Sequence, residues 1–236
     1  MLDHLVSLLA LRNRALTLAS PTTGSTSLSV TTTGYARAAG SFITDGFAVG
    51  MEIAASGFTT AANNGAGVVT AVAAGTLTVD AYTVTLGVTG YTAASRTLAT
   101  EAADVGRTIS VGLPAMRAWE NSVFVPVAGK PYVEEDYLPG PAEQITLGPL
   151  GEIEVLPQYI LKLYGLAGKG ITPLYKASDA LLALFAPRTA LTLSTGDVLR
   201  VRTNPAPYRS QLLPSEPGWS VVVVTVPLRA ESANTI

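Results

Sequence analysis

The densest run of groups able to do chemistry is Glu134-Glu135-Asp136. Neighbouring carboxylates can share acid/base work or hold a divalent cation. In an extended segment, however, successive side chains leave on opposite faces, so Glu134 and Asp136 share one face and Glu135 takes the other. No histidine and no further acidic motif at metal-ligand spacing stands nearby. A solvated sheet edge or a subunit contact is therefore the expected role, and like charges along an edge also discourage stray strand pairing. The single histidine, His4, has neither a neighbouring nucleophile nor an orienting partner in the sequence and reads as surface or interface. Gly165-Leu-Ala-Gly168-Lys169-Gly170 follows a predicted strand, where a phosphate loop would sit. A true P-loop places four residues between its glycines and Ser or Thr after its lysine. Here two residues intervene, Gly170 follows the lysine, and the next helix is expected to start some eight residues later. With no cysteine in the chain, thiolate nucleophiles, disulfides, iron–sulfur clusters and Cys-based zinc sites are excluded. No enzymatic activity, metal or cofactor is expected.

A second charged group is cationic. Arg200 and Arg202 share one face of a predicted strand over Asp197–Arg202, with Arg188 upstream and Arg209 in the following loop. An interface rung meeting carboxylates of an adjacent subunit and a solvated strand face both fit this spacing. The loop from Asn204 to Gly218 is punctuated by prolines and carries Leu212 and Leu213 in its middle. A structureless loop of that length is usually functional or disordered, and two leucines argue for docking. The candidate site is thus a subunit interface made of Glu134, Glu135, Asp136, Arg188, Arg200, Arg202, Leu212 and Leu213.

Those residues must be positioned by a chain whose composition changes twice. Residues 19–112 hold 13 of the 22 glycines but one of the 15 prolines, with Thr, Ser, Ala and Val making up most of the rest. Ser27-Leu-Ser-Val-Thr31, Thr76-Leu-Thr-Val-Asp80 and Thr83-Val-Thr-Leu-Gly-Val88 alternate with the period of half-buried strands. Asn64-Gly65 reads as a tight turn feeding a strand over Gly67–Val72, and Phe42, Phe47, Phe58, Tyr82 and Tyr91 supply core bulk. This stretch is expected to be an all-β, sandwich- or barrel-like module inserted into a second unit made of residues 1–18 and 113–236. Leu2, Leu5, Val6, Leu9 and Leu16 predict an amphipathic first helix whose stripe faces the core, with Asp3 at its N-terminus. A second helix is expected over Ala180–Phe185, capped by Ser178 or Asp179 and stopped by Pro187. Strands follow from Val123–Pro126, Tyr132–Leu138, Ile145–Leu147, Ile153–Tyr164, Asp197–Arg202 and Trp219–Leu228. Val221-Val-Val-Val-Thr-Val226 is apolar on both faces, as a central strand should be. The expected fold class is α+β, a mixed or antiparallel sheet flanked by two helices and interrupted by the β-rich insertion.

Bulk properties narrow the function. The 236 residues carry a formal charge of −2, with 48% hydrophobic and 14% charged, which suits one or two folded domains rather than a disordered chain. So small a charge offers no field to grip nucleic acid. No continuously apolar run reaches bilayer-spanning length, the opening Met-Leu-Asp-His lacks a basic n-region, and a protein made in the cytoplasm without membrane contact is expected.

One long segment carries a resemblance. Trp119-Glu-Asn-Ser-Val-Phe-Val-Pro-Val-Ala-Gly-Lys-Pro-Tyr-Val-Glu-Glu-Asp-Tyr-Leu-Pro-Gly-Pro141 resembles the early core of bacteriophage tail terminator proteins of siphophage type. The pattern is an Asn, a Phe-x-Pro turn, a Gly-x-Pro turn, a Tyr-Val-Glu strand and a proline-rich corner. It continues through Gln144-Ile-Thr-Leu-Gly148, Tyr159–Tyr164, Phe185-Ala-Pro-Arg188 and Val221–Leu228. The resemblance implies a homo-oligomeric ring of six that ends tail-tube growth. It implies contact with the tube protein and with head-completion proteins, a virion position at the head–tail junction, and DNA passing through the lumen without specific binding. The inserted module departs from the minimal family pattern and is expected on the outside of the ring. Another head–tail connector or tube protein is the near alternative, and a bacterial surface β-domain protein the distant one.

Overall fold

The computed structural model describes residues 3–24, 26–87, 90–119, 124–145, 152–210, 213–214 and 218–233. The chain opens with α1 (His4–Leu16), whose N-cap is Asp3: its carboxylate accepts the Val6 N–H at 3.1 Å. Next come β1 (Leu28–Thr31), β2 (Gly34–Arg37), α2 (Phe42–Asp45), β3 (Glu52–Ser56), β4 (Gly65–Val72), β5 (Thr76–Gly87), β6 (Gly90–Ser95), β7 (Glu101–Asp104) and β8 (Thr108–Ser110). These eight strands form one sheet in the order β7-β1-β2-β5-β4-β3-β8, with β6 paired to β5. Its core holds Leu28, Tyr35, Phe42, Phe58, Leu77 and Ile109. The two alternating segments expected around Thr76 and Thr83 are a single twelve-residue strand, β5. Where β2 crosses β5, a Cβ on Gly34 would run into the Leu77 carbonyl, so this close approach requires glycine.

The rest of the chain builds β9 (Met116–Ala118), β10 (Tyr132–Leu138), β11 (Ala142–Gln144), β12 (Glu152–Val155), β13 (Gln158–Leu166), α3 (Thr172–Leu184), β14 (Ala190–Thr192), β15 (Val198–Val201), β16 (Tyr208–Arg209), β17 (Leu213–Pro214) and β18 (Trp219–Ala233). They make a ten-stranded sheet whose spine is β18, fifteen residues long. Its first part pairs with β13 from Trp219 to Pro227, and its last part pairs with β12 from Ala230 to Ala233. Strands β15, β16 and β17 pair with β18 as well. The apolar run Val221–Val226 is therefore central, as its two-faced hydrophobicity requires.

The α+β expectation is overturned. Strands hold 44% of the chain against 16% for helix, and the fold is mostly β, with two many-stranded sheets and three helices among the described residues. The two longer helices do not flank the sheet: α1 touches α3, and Leu8, Leu11, Leu174 and Leu181 share one core cluster with Val222 and Val224. Helix α1 also turns a different stripe inward. Leu8, Leu11 and Ala15 are buried, while Leu5, Leu9 and Leu16 are 64%, 42% and 40% exposed. Two apolar stripes overlap on this helix, and the buried one brings small Ser7 and Ala15 against the sheet and lets it sit close. Helix α3 starts eight residues before the expected Ala180, at Thr172, with Pro173 in its first turn where a missing N–H costs nothing. Ser178 lies inside it and donates to the Tyr175 carbonyl instead of capping.

Candidate subunit interface

Strand β10 separates its three acids as the alternation requires. Glu135 is buried, and its carboxylate takes the Arg12 guanidinium from α1 and the Tyr159 hydroxyl at 3.2 Å. Burial and the adjacent Glu135 charge push the Tyr159 phenol well above its ordinary range, so it stays a donor. On the other face Glu134 accepts the Tyr164 hydroxyl at 3.1 Å, and Lys162 of β13 stands 2.7 Å from Asp136 and 3.7 Å from Glu134. The hydrogen bond to Asp136 raises the Lys162 ammonium pKa against the cost of burial. The edge is covered only in part. Strand β10 pairs with β13 along its length and with β9 from Tyr132 to Glu134.

The arginines gather elsewhere. Arg188, Arg200, Arg202 and Arg229 line a cleft of about 440 Å³ together with Glu154 and Asn204. Glu154 pairs with Arg229 at 2.5 Å, whereas Arg188, Arg200 and Arg202 have no carboxylate partner among the described residues. Arg200 stands directly across from Arg229 in the β15–β18 register. Like charges opposed across strands destabilise a sheet unless an anion answers them. Arg188 adopts φ 71°, the one non-glycine residue with positive φ among those described, and its N–H reaches the Val201 carbonyl at 2.9 Å. The fourth arginine of the sequence reading, Arg209, leaves the group: it pairs with Asp179 and lies 4.2 Å over the Tyr175 ring, pinning β16 to α3. Leu212 falls outside the described residues. Leu213 is placed only by its backbone, opposite Val221.

The Gly165–Gly170 segment, rejected as a phosphate loop on its sequence, ends directly at α3, so the distance to a helix does not exclude a cradle; the glycine spacing and Gly170 after Lys169 do. His4 packs against Tyr137 at 6.0 Å between ring centres. No cluster of metal-ligating side chains occurs among the described residues, and no helix there is long and apolar enough to cross a membrane.

Sequence reasoning missed three positions. Glu52 of β3 is buried where the two sheets meet, accepting the Ala115 N–H at 2.6 Å and the Tyr82 hydroxyl. Arg12 is the counter-charge of Glu135, 123 residues away in sequence. Glu154, in the alternation Glu152-Ile-Glu-Val155, sits on the same face as the arginines; that alternation was the available signal.

The model of the phage tail terminator family matches residues 91–227. The chain belongs to that family. This tail terminator is accordingly a structural protein of the phage tail, a virion component that meets other phage proteins of the tail and head. The match begins in β6, so it takes in the last strands of the first sheet as well as most of the second. No curated protein matches the chain. One solved structure is similar over 50% of this chain and 79% of its own, at 22% identity and a TM-score of 0.38.

Proposed function

We propose that this tail terminator closes as a ring of six on the end of the phage tail tube, stops tube growth there, and presents a face to the head-completion proteins while DNA passes through the lumen. The observation that carries the reading is the family match over residues 91–227. The charge pattern supports it: the net charge is −2, and three arginines without a carboxylate partner among the described residues gather in one cleft, so counterion release along DNA is small while a neighbouring subunit can still be recognised. The contact surface comprises Arg188, Arg200 and Arg202 on one side of the subunit and Glu134 and Asp136 on another, with Leu212 and Leu213 as a further docking element; Glu135 serves inside the subunit. Residues 19–112 act as an inserted module on the outside of residues 1–18 and 113–236, in keeping with separate apolar cores in the two sheets. No catalytic step is involved.

The test is imaging of intact tails together with mass measurement of the released protein. One closed ring at the head-proximal end is expected. Copies repeated along the tube, or absence from the particle, would overturn the assignment.

A further inference from the structure

The part of the second sheet that carries the arginine cleft is a five-stranded patch in the order β11-β12-β18-β15-β14. Each neighbouring pair in it is antiparallel, so its outermost strands, β11 and β14, run in the same direction. Both are three residues long and have one pairing partner among the described residues. Val201 donates to the Thr189 carbonyl at 2.8 Å and Leu193 donates to that of Asp197 at 2.8 Å. Odd-numbered residues of β14 thus bond to β15, and Ala190 and Thr192 turn their N–H and C=O groups outward. At the other end Leu156 donates to the Pro141 carbonyl at 3.3 Å, which leaves Ala142 and Gln144 turned outward from β11.

The two edges also differ in charge. Position 143 stands opposite Glu154 in the register and so belongs to the cleft face of the sheet. Ala190 stands opposite Arg200, and Arg200 opposite Arg229, on that same face. An acid marks one edge and an arginine row ends at the other.

We infer that β11 of one copy adds in parallel to β14 of the next, making a sheet continuous between subunits, with Glu143 beside Ala190 and at the end of the Arg200–Arg229 row. Parallel addition is the arrangement that fits the exposed groups. In a parallel pair a bonding residue lies beside a non-bonding one, so Ala190 comes beside Glu143 and the core-facing sides of the two sheets stay aligned. Antiparallel addition would set Ala190 opposite Ala142 or Gln144 and turn one apolar face out. Repetition by rotation about a ring axis keeps strand direction from copy to copy, whereas a twofold dimer reverses it. Like-directed edges of opposite charge therefore suit a head-to-tail ring. This inference rests on the ring reading above and supplies its joint.

The absence of native cysteine gives a direct test. In one subunit positions 143 and 190 lie at opposite edges of five strands, on the order of 20 Å apart at ~4.8 Å per strand, far beyond disulfide reach. The full-length double variant Glu143→Cys/Ala190→Cys is loaded on purified tail tubes, imaged and weighed under reducing conditions, then oxidised and run unreduced. Ring formation when reduced and a ladder of cross-linked multimers ending at the full ring when oxidised is the expected result. Glu143→Cys/Thr192→Cys tests the neighbouring register in the same way. Rings that form but cross-link in neither variant would overturn the strand joint and leave the ring standing. Monomers alone in the wild type, on tubes as well as in solution, would overturn the ring reading and the joint with it.

Discussion

Replacing Glu52 by Gln should flatten the pH dependence of stability. The carboxyl is buried at the junction of the sheets, with the Ala115 N–H at 2.6 Å and the Tyr82 hydroxyl as its donors. Burial pushes it from 4.5 up to about 7, against the opposing pull of those two hydrogen bonds and of the Arg117 and Lys130 charges. Below pH 4.5 the group is protonated in both folded and unfolded chains and imposes no penalty. Between 4.5 and 7 the unfolded chain has released its proton while the native chain keeps it, so stability falls as pH rises. Above pH 7 both states are ionised and the loss is constant. A shift from 4.5 to about 7 corresponds to ~3 kcal/mol of lost stability. Glutamine keeps the shape and an acceptor for the Ala115 N–H but cannot ionise. Guanidinium unfolding followed by circular dichroism at pH 5 and pH 8 gives the comparison, and other titrating groups cancel in the difference between variant and wild type. Glu52→Gln should match wild type within ~1 kcal/mol at pH 5 and exceed it by ~3 kcal/mol at pH 8. A difference that stays the same at both pH values would refute the assignment of the slope to this carboxyl.

Arg12→Met should cost ~3–5 kcal/mol by stranding the buried Glu135 carboxylate, and Arg12→Met/Glu135→Gln should recover most of it in the same unfolding assay. Gly140→Ala should be strongly destabilising, because φ is 70° and the new Cβ would meet the Leu156 carbonyl; a midpoint shift of less than ~0.5 kcal/mol would count against the described corner. Ala190→Pro should leave the subunit folded, since its N–H faces away from β15, yet abolish ring formation on purified tubes as judged by electron microscopy. Replacing residues 21–110 by a short Gly/Ser linker should leave a folded remainder with similar helix content by circular dichroism; an aggregated product would show that the module is part of the core.

What could be read from sequence was local. Strand alternation located β1 and much of β5, the Asn64-Gly65 turn signal located β4, and Val221–Val226 announced a central strand by being apolar on both faces. The face assignment within Glu134–Asp136 needed only the period of two. What failed was set by packing. Helix α1 offers two overlapping stripes, and the choice between them is made by the sheet beneath and by Glu135, whose partner Arg12 no spacing rule connects to it. The weight given to the helices failed for a related reason: α1 and α3 lie together over one core, so they cover the sheet as a pair rather than enclosing it. The arginine group was half legible. Arg200 and Arg202 follow from strand parity, but Arg229 joins them only because β18 runs on past Leu228 to pair with β15, and Arg209 leaves because β16 pins it to α3. Charge at an edge is a property of sheet order, and sheet order here is set by a single fifteen-residue strand that collects partners from both halves of the unit. An acid at 143 and an alanine at 190 carry no mutual signal until that strand fixes which strands end the patch among the described residues and that they run the same way.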